Sequence, residues 1–141
     1  MKRGSYGWVV VLCAFTLMFV GFGAAYSFAV FFRAFESEFG ASRAHVSLIF
    51  SLCAFLYFLL GAPGGMLADR FGTRNVALAG VGFLAAGLAA ASYAPSVGML
   101  YATYSVGLGI GIGLTYVPAV GAVQPWFEKR RVLASGIAVS G

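Results

Sequence analysis

The sequence predicts an all-α protein, a polytopic bundle of transmembrane helices. Three observations carry this reading. Hydrophobic residues make up 61% of the 141-residue chain and charged residues only 9%, where a soluble domain carries about 25% charged residues. The charges gather in short clusters between long apolar runs. Those runs are long enough for the ~20 helical residues that a hydrocarbon layer of ~30 Å requires. Such a chain cannot cover a water-facing surface, and disorder is excluded because it needs low hydrophobicity and many charges.

The first span is read over residues 8–32, since Trp8 to Phe32 holds no charge and Arg33 ends the run. It exceeds the core of roughly 7–15 residues of a secretory signal, and further spans follow, so cleavage near Gly23-Ala24-Ala25 is the weaker reading. Phe31, Phe35 and Phe39 recur every four residues, which predicts that the helix continues past Arg33 with one aromatic face. Gly40 suits the positive φ that ends a helix. Ser42 can cap the next one, and His45 falls at the water interface. The second span covers residues 46–68 and stops at Asp69-Arg70. No charge occurs from Asn75 to Phe127, too long a stretch for one helix. The break is read at Ala94-Pro95-Ser96, with spans at 76–93 and 97–123. A last run, 132–141, rises only about 15 Å, half way across. The expected organisation is an incomplete N-terminal transmembrane domain of four full spans and a truncated fifth.

The net charge of +5 would point to nucleic acid in a soluble protein. Here the basic clusters are a topology signal, and the expected partner is the lipid bilayer rather than nucleic acid. One side holds Lys2, Arg3, Arg70, Arg74, Lys129, Arg130 and Arg131. The other holds Arg33 and Arg43, offset by Glu36 and Glu38. This asymmetry places the N-terminus in the cytoplasm of a multi-pass protein of the cell (plasma or inner) membrane. Cys13 and Cys53 read as small hydrophobes packed at lipid depth, without a disulfide framework. No enzyme constellation, cofactor motif or metal-ligand spacing occurs. Gly107, Gly109, Gly111 and Gly113 lack the spacing of a phosphate loop. The pairs Gly107/Gly111, Gly109/Gly113 and Gly61/Gly65 instead have the spacing that lets helix backbones approach closely.

The segment Gly65-Met-Leu-Ala-Asp69-Arg70-Phe-Gly72-Thr-Arg74 resembles the major facilitator superfamily signature G-x-L-A-D-R-x-G-R-K. Thr73 departs, standing where a base is usual. The resemblance implies that Gly65, Asp69, Arg70, Gly72 and Arg74 belong to a cytoplasmic gate; physically, Gly72 permits a tight reversal. The segment from Trp126 to Gly141 is similar to the monocarboxylate-transporter signature Y-F-x-K-R-R-x-L-A-x-G-x-A-x-A-G. Phe127, Lys129, Arg130, Arg131 and Gly136 match, while Trp126 and Ser140 depart. Gly4-Ser5-Tyr6-Gly7-Trp8 is similar to that family's opening motif, with Arg3 in place of an acidic residue.

The resemblance implies part of the N-terminal half of a major-facilitator fold, about the first five of twelve helices, in the monocarboxylate-transporter-like (oxalate/formate-antiporter-like) branch. It implies a secondary transporter of a small organic anion working by alternating access. A monocarboxylate is the candidate substrate, and a proton or counter-anion the candidate coupling partner. Tyr26 stands where animal carriers of this branch have lysine, so lactate or pyruvate does not follow. A small oligomeric membrane protein with a structural role is the alternative. At 100° per residue, Tyr101, Tyr104, Ser105, Thr115 and Tyr116 fall within about 60° of one line on the fourth span. They are the expected lining of the substrate path, with Tyr26 and Ser27 on the first span. The competing expectation is that these hydroxyls bond adjacent helices.

Overall fold

A backbone in lipid must satisfy its own hydrogen bonds, so apolar runs of this length fold as helices. The computed structural model describes residues 2–127 and 130–141, with side chains described from Tyr6 onward. Every regular element among them is helical, and four helices are long and apolar enough to cross a membrane. Helix α1 spans Lys2–Phe39, about 57 Å at 1.5 Å per residue. It runs past Arg33, and the Phe35 ring lies 5.5 Å from Phe28 and 6.2 Å from Phe39. Gly40 reverses the chain at φ 58°, a region open to glycine at no steric cost. Ser42 then caps helix α2 (Arg43–Phe71), its side chain accepting from the His45 backbone N–H at 3.4 Å.

Only Gly72 separates α2 from α3 (Thr73–Ser92), with φ 86°. The helices therefore extend beyond the charge-free runs at several ends. Arg33, Asp69, Arg70 and Arg74 all lie in helical turns rather than loops, because backbone hydrogen bonding does not stop where the apolar run does. After Tyr93–Ser96, helix α4 runs as one rod through Val97–Leu100, a π-helical segment Tyr101–Val106, and Gly107–Val123. A 3₁₀ turn, Gln124–Trp126, follows, and α5 spans Arg131–Val139.

Helix α4 is the axis of the bundle. Its most apolar window is 56% buried, against 22–28% for the other three long helices. The glycines explain how it is surrounded. A Cβ at Gly107 or Gly111 would collide with Gly87 or with Leu84 and Gly80 on α3. A Cβ at Gly109 or Gly113 would collide with Leu56 or Leu60 on α2. Odd-numbered glycines thus open two faces, one for each neighbour. On α2, Gly61 and Gly65 both face Val117, but the closest approach is one register off: a Cβ at Gly64 would lie 2.6 Å from the Gly113 carbonyl oxygen. Cys53 is buried as expected, whereas Cys13 is exposed in an apolar groove between α1 and α3. Two separate apolar cores result, one around Ile49, Leu100 and Leu108, the other around Met18, Ala119 and Ala134.

Candidate functional site

Phe22 and Tyr116 pack against both cores, and the space beside them is a cavity of about 610 Å³ bounded by α1, α2, α4 and the end of α5. The Phe22 ring is its hub. Tyr57 meets it edge-on at 5.7 Å, Tyr116 edge-on at 5.8 Å, and Tyr26 lies stacked at 6.1 Å. These separations are in the favourable range for aromatic pairs. The three tyrosines come from α1, α2 and α4, so their convergence is tertiary. Tyr57 stands midway along α2. Small residues, Gly23, Gly61 and Ala62, leave the space open, and no lining side chain carries a charge.

The fourth-span hydroxyls divide differently from the expected stripe. Tyr101 donates to the His45 carbonyl at 2.7 Å, and Tyr104 to the carbonyls of Ala24 and Ala25 at 3.0 and 3.1 Å. Ser105 is fully buried and donates to the Ile49 carbonyl at 2.8 Å. Thr115 bonds back to Gly111 and Ile112 within its own helix, at 2.9 and 3.1 Å. These four are not in the cavity wall; of the stripe, Tyr116 alone lines it. For Tyr101, Tyr104 and Ser105 the π segment is one reason: an i→i+5 turn inserts about one extra residue and shifts their phase against Tyr116 by about 100°. Thr115 shares its segment with Tyr116 and points about 100° away from it. On α1, Tyr26 lines the cavity, whereas Ser27 is half-buried and bonds the Ala24 carbonyl at 2.7 Å. Phe22 and Tyr57 were missed from sequence. The available signal was a tyrosine at the centre of α2, within the uncharged run from Val46 to Ala68.

At the α2–α3 junction, Asp69, Arg70, Gly72 and Arg74 are exposed. The Arg70 guanidinium carbon lies 5.4 Å from the Phe71 ring centre, and Asn75 Nδ2 donates to the Phe71 carbonyl at 3.0 Å. Among the described residues, no ion pair or hydrogen bond engages the Asp69 side chain. Gly65 faces Val117 at 3.0 Å from its notional Cβ. The two terminal motifs, read separately in the sequence, meet in space. Tyr6 packs on Trp126 at 5.0 Å and Trp8 on Phe127 at 5.3 Å. Gly7 allows this, since a Cβ there would lie 3.2 Å from both Trp126 and Phe127. Arg131 Nε donates to the Phe127 carbonyl at 2.9 Å. Arg130 is exposed, Gly136 faces open space, and Lys129 lies outside the described residues.

Three membrane-length helices packed on a glycine-lined fourth, with a neutral cavity midway along α2, define a polytopic membrane protein. Residues 9–141 match the Major Facilitator Superfamily, and the chain belongs to it. It is 34% identical over 138 residues to monocarboxylate transporter 3 of Rattus norvegicus, covering 98% of this chain and 28% of that protein. It is 36% identical over 138 residues to monocarboxylate transporter 13 of Bos taurus, covering 98% and 32%. It is 35% identical over 140 residues to monocarboxylate transporter 1 of Bos taurus, covering 98% and 28%. The chain therefore spans less than a third of the length of these relatives.

Proposed function

We propose that the protein is a secondary active transporter of a small organic anion, working by alternating access, with this chain supplying one wall of the substrate cavity. The observation that carries the reading is the neutral cavity beside Phe22, midway along α2. In transporters of repeat architecture the substrate site lies near the bilayer midplane, between halves that rock about it. Similarity to monocarboxylate transporters supports a carboxylate substrate. The α2–α3 junction would then lie on the cytoplasmic side with the N-terminus and act as a gate. Asp69, Arg70, Gly72 and Arg74 would be its residues, with Tyr26 and Tyr116 on the substrate path. A proton or counter-anion is the proposed coupling partner. No Asp, Glu, Lys or Arg lies between Trp8 and Phe32 or between Val46 and Ala68, so these segments of α1 and α2 offer no carboxylate for a proton relay.

The test is uptake of radiolabelled carboxylates by the purified protein, as the cell produces it, in proteoliposomes. Saturable uptake driven by a pH gradient or by an internal counter-anion is expected. Uptake indistinguishable from empty vesicles for every acid and gradient would refute the reading.

A further inference from the structure

The hydroxyl groups of the fourth-span stripe and of the cavity wall fall into two classes. Those of Tyr101, Tyr104, Ser105 and Thr115 are engaged by backbone carbonyls. Those of Tyr26, Tyr57 and Tyr116 have no hydrogen-bond partner among the described residues, and all three line the same cavity. Around them the wall is aromatic, with Phe19, Phe22 and Phe58 completing it. Tyr57 packs edge-on against Phe22 at 5.7 Å, with the exposed Phe58 ring beside it at 4.5 Å. The Phe22 contact restrains the Tyr57 ring, so part of the ordering cost of binding is already met.

This chemistry is selective. An ionised carboxylate finds no positive charge on this wall, and a few phenol O–H groups replace its lost hydration only in part. The apolar body of a substrate gains by burial, at roughly 25 cal/mol per Å², and a ring gains further from edge or offset contacts. A two-carbon acid has almost no such body. We infer that this wall receives the aromatic or branched body of an organic acid, with Tyr57 as the specificity-determining residue and the three phenols meeting polar groups on that body. Tyr26 also lines a smaller pocket of about 360 Å³ with Ser47, Ser51 and Phe50 on the same α1–α2 seam. The seam thus continues the aromatic and hydroxyl character away from the cavity. The inference rests on the transporter reading above, applied to the same site.

The experiment measures both binding and uptake, using phenylacetate and acetate as probes of the purified protein as the cell produces it. Binding is read by calorimetry in detergent and uptake in proteoliposomes. Phenylacetate should bind at least ten-fold more tightly than acetate. Tyr57→Ala should bring the two within about three-fold, while Tyr57→Phe should keep the preference. Tyr26 is 62% exposed, so Tyr26→Ala removes a ring with little loss of packing and gives a second test if Tyr57→Ala does not fold. Equal or tighter binding of acetate, or a preference untouched by whichever ring removals fold, would overturn the inference. Saturable uptake of both acids without a preference would do so while leaving the transporter reading intact. Ring-dependent binding of phenylacetate without uptake of either acid would support the site and count against transport. Binding of neither acid would overturn the inference.

Discussion

Replacing Gly87 by alanine should weaken the bundle, while the same change at Gly82, on the same helix, should not. A Cβ at Gly87 would lie 2.8 Å from the Gly107 Cα and 3.0 Å from the Thr103 carbonyl oxygen. Carbon atoms rest at about 3.5–4.0 Å, so α3 and α4 must separate by roughly 0.7 Å. The obstruction is backbone on both sides, and no side-chain rotation relieves it. A gap of that size also removes a quarter to a half of each dispersion contact along the seam, including those at Gly80 and Gly111. At Gly82 nothing lies within 4 Å of the new methyl group. Both substitutions gain about 0.8–1 kcal/mol of helix propensity, and this cancels in the comparison. The difference between the two variants then isolates overpacking, about 1–3 kcal/mol. At about 2–4 °C per kcal/mol, Gly87→Ala should melt roughly 2–12 °C below Gly82→Ala. The assay is thermal unfolding in detergent followed by tryptophan fluorescence. Gly107→Ala, which places a methyl 2.6 Å from the Gly87 Cα, should be less than additive with Gly87→Ala, by at least about 0.5 kcal/mol. Once the helices have parted, the second methyl meets less resistance. Equal melting of Gly82→Ala and Gly87→Ala would refute the close-packing argument.

Three further outcomes are expected. Gly72→Val should lower folded yield and transport more than Asp69→Asn, because a β-branched residue at φ 86° is strained; expression and uptake read the two effects, and wild-type values for both would reduce the junction to a spacer. Trp126→Ala should remove the Tyr6 ring contact, worth about 0.5–1.5 kcal/mol, and raise tryptic cleavage at Arg130 and Arg131; unchanged proteolysis would show that the Tyr6–Trp126 contact does not protect these sites. In a cysteine scan with a small water-soluble thiol reagent, positions 26, 57 and 116 should label and be protected by substrate, while 105 and 115 should stay unlabelled; labelling of 105 and 115 instead would restore the fourth-span stripe as the cavity face.

What was legible in the sequence follows from what one-dimensional patterns encode. Four apolar runs, broken by charges and by Pro95, suffice for an all-α membrane bundle, because hydrocarbon allows an unpaired segment no other backbone. The turns at Gly40 and Gly72 were readable, since each is a lone glycine where an apolar run gives way to charged residues. Helix ends were less readable: Arg33 and Asp69 mark the limit of the apolar run, but a helix already nucleated in lipid propagates a further turn or more beyond it. Close glycine packing was visible as spacing on α4. Its partners were not, because Gly80 and Gly87 on α3 and Gly64 on α2 lie among other small residues and acquire meaning only opposite Gly111, Gly107 and Gly113.

The cavity shows the sharper limit. A helical wheel assumes one constant rotation per residue, and the π segment Tyr101–Val106 breaks that assumption in the middle of the predicted stripe. Even an unbroken wheel states only which residues share a face, never which neighbour that face meets. Ser105 faces an α2 carbonyl and Thr115 bonds its own helix, so hydroxyls that looked like solvent contacts are structural ties. Tyr57 is the converse. A single tyrosine forms no stripe, and its importance arises because α1 and α4 bring Tyr26 and Tyr116 to the same phenylalanine ring. Sites assembled from one residue per helix leave no period in any one segment. Here the informative signal is the convergence of three phenols, from α1, α2 and α4, on one phenylalanine ring.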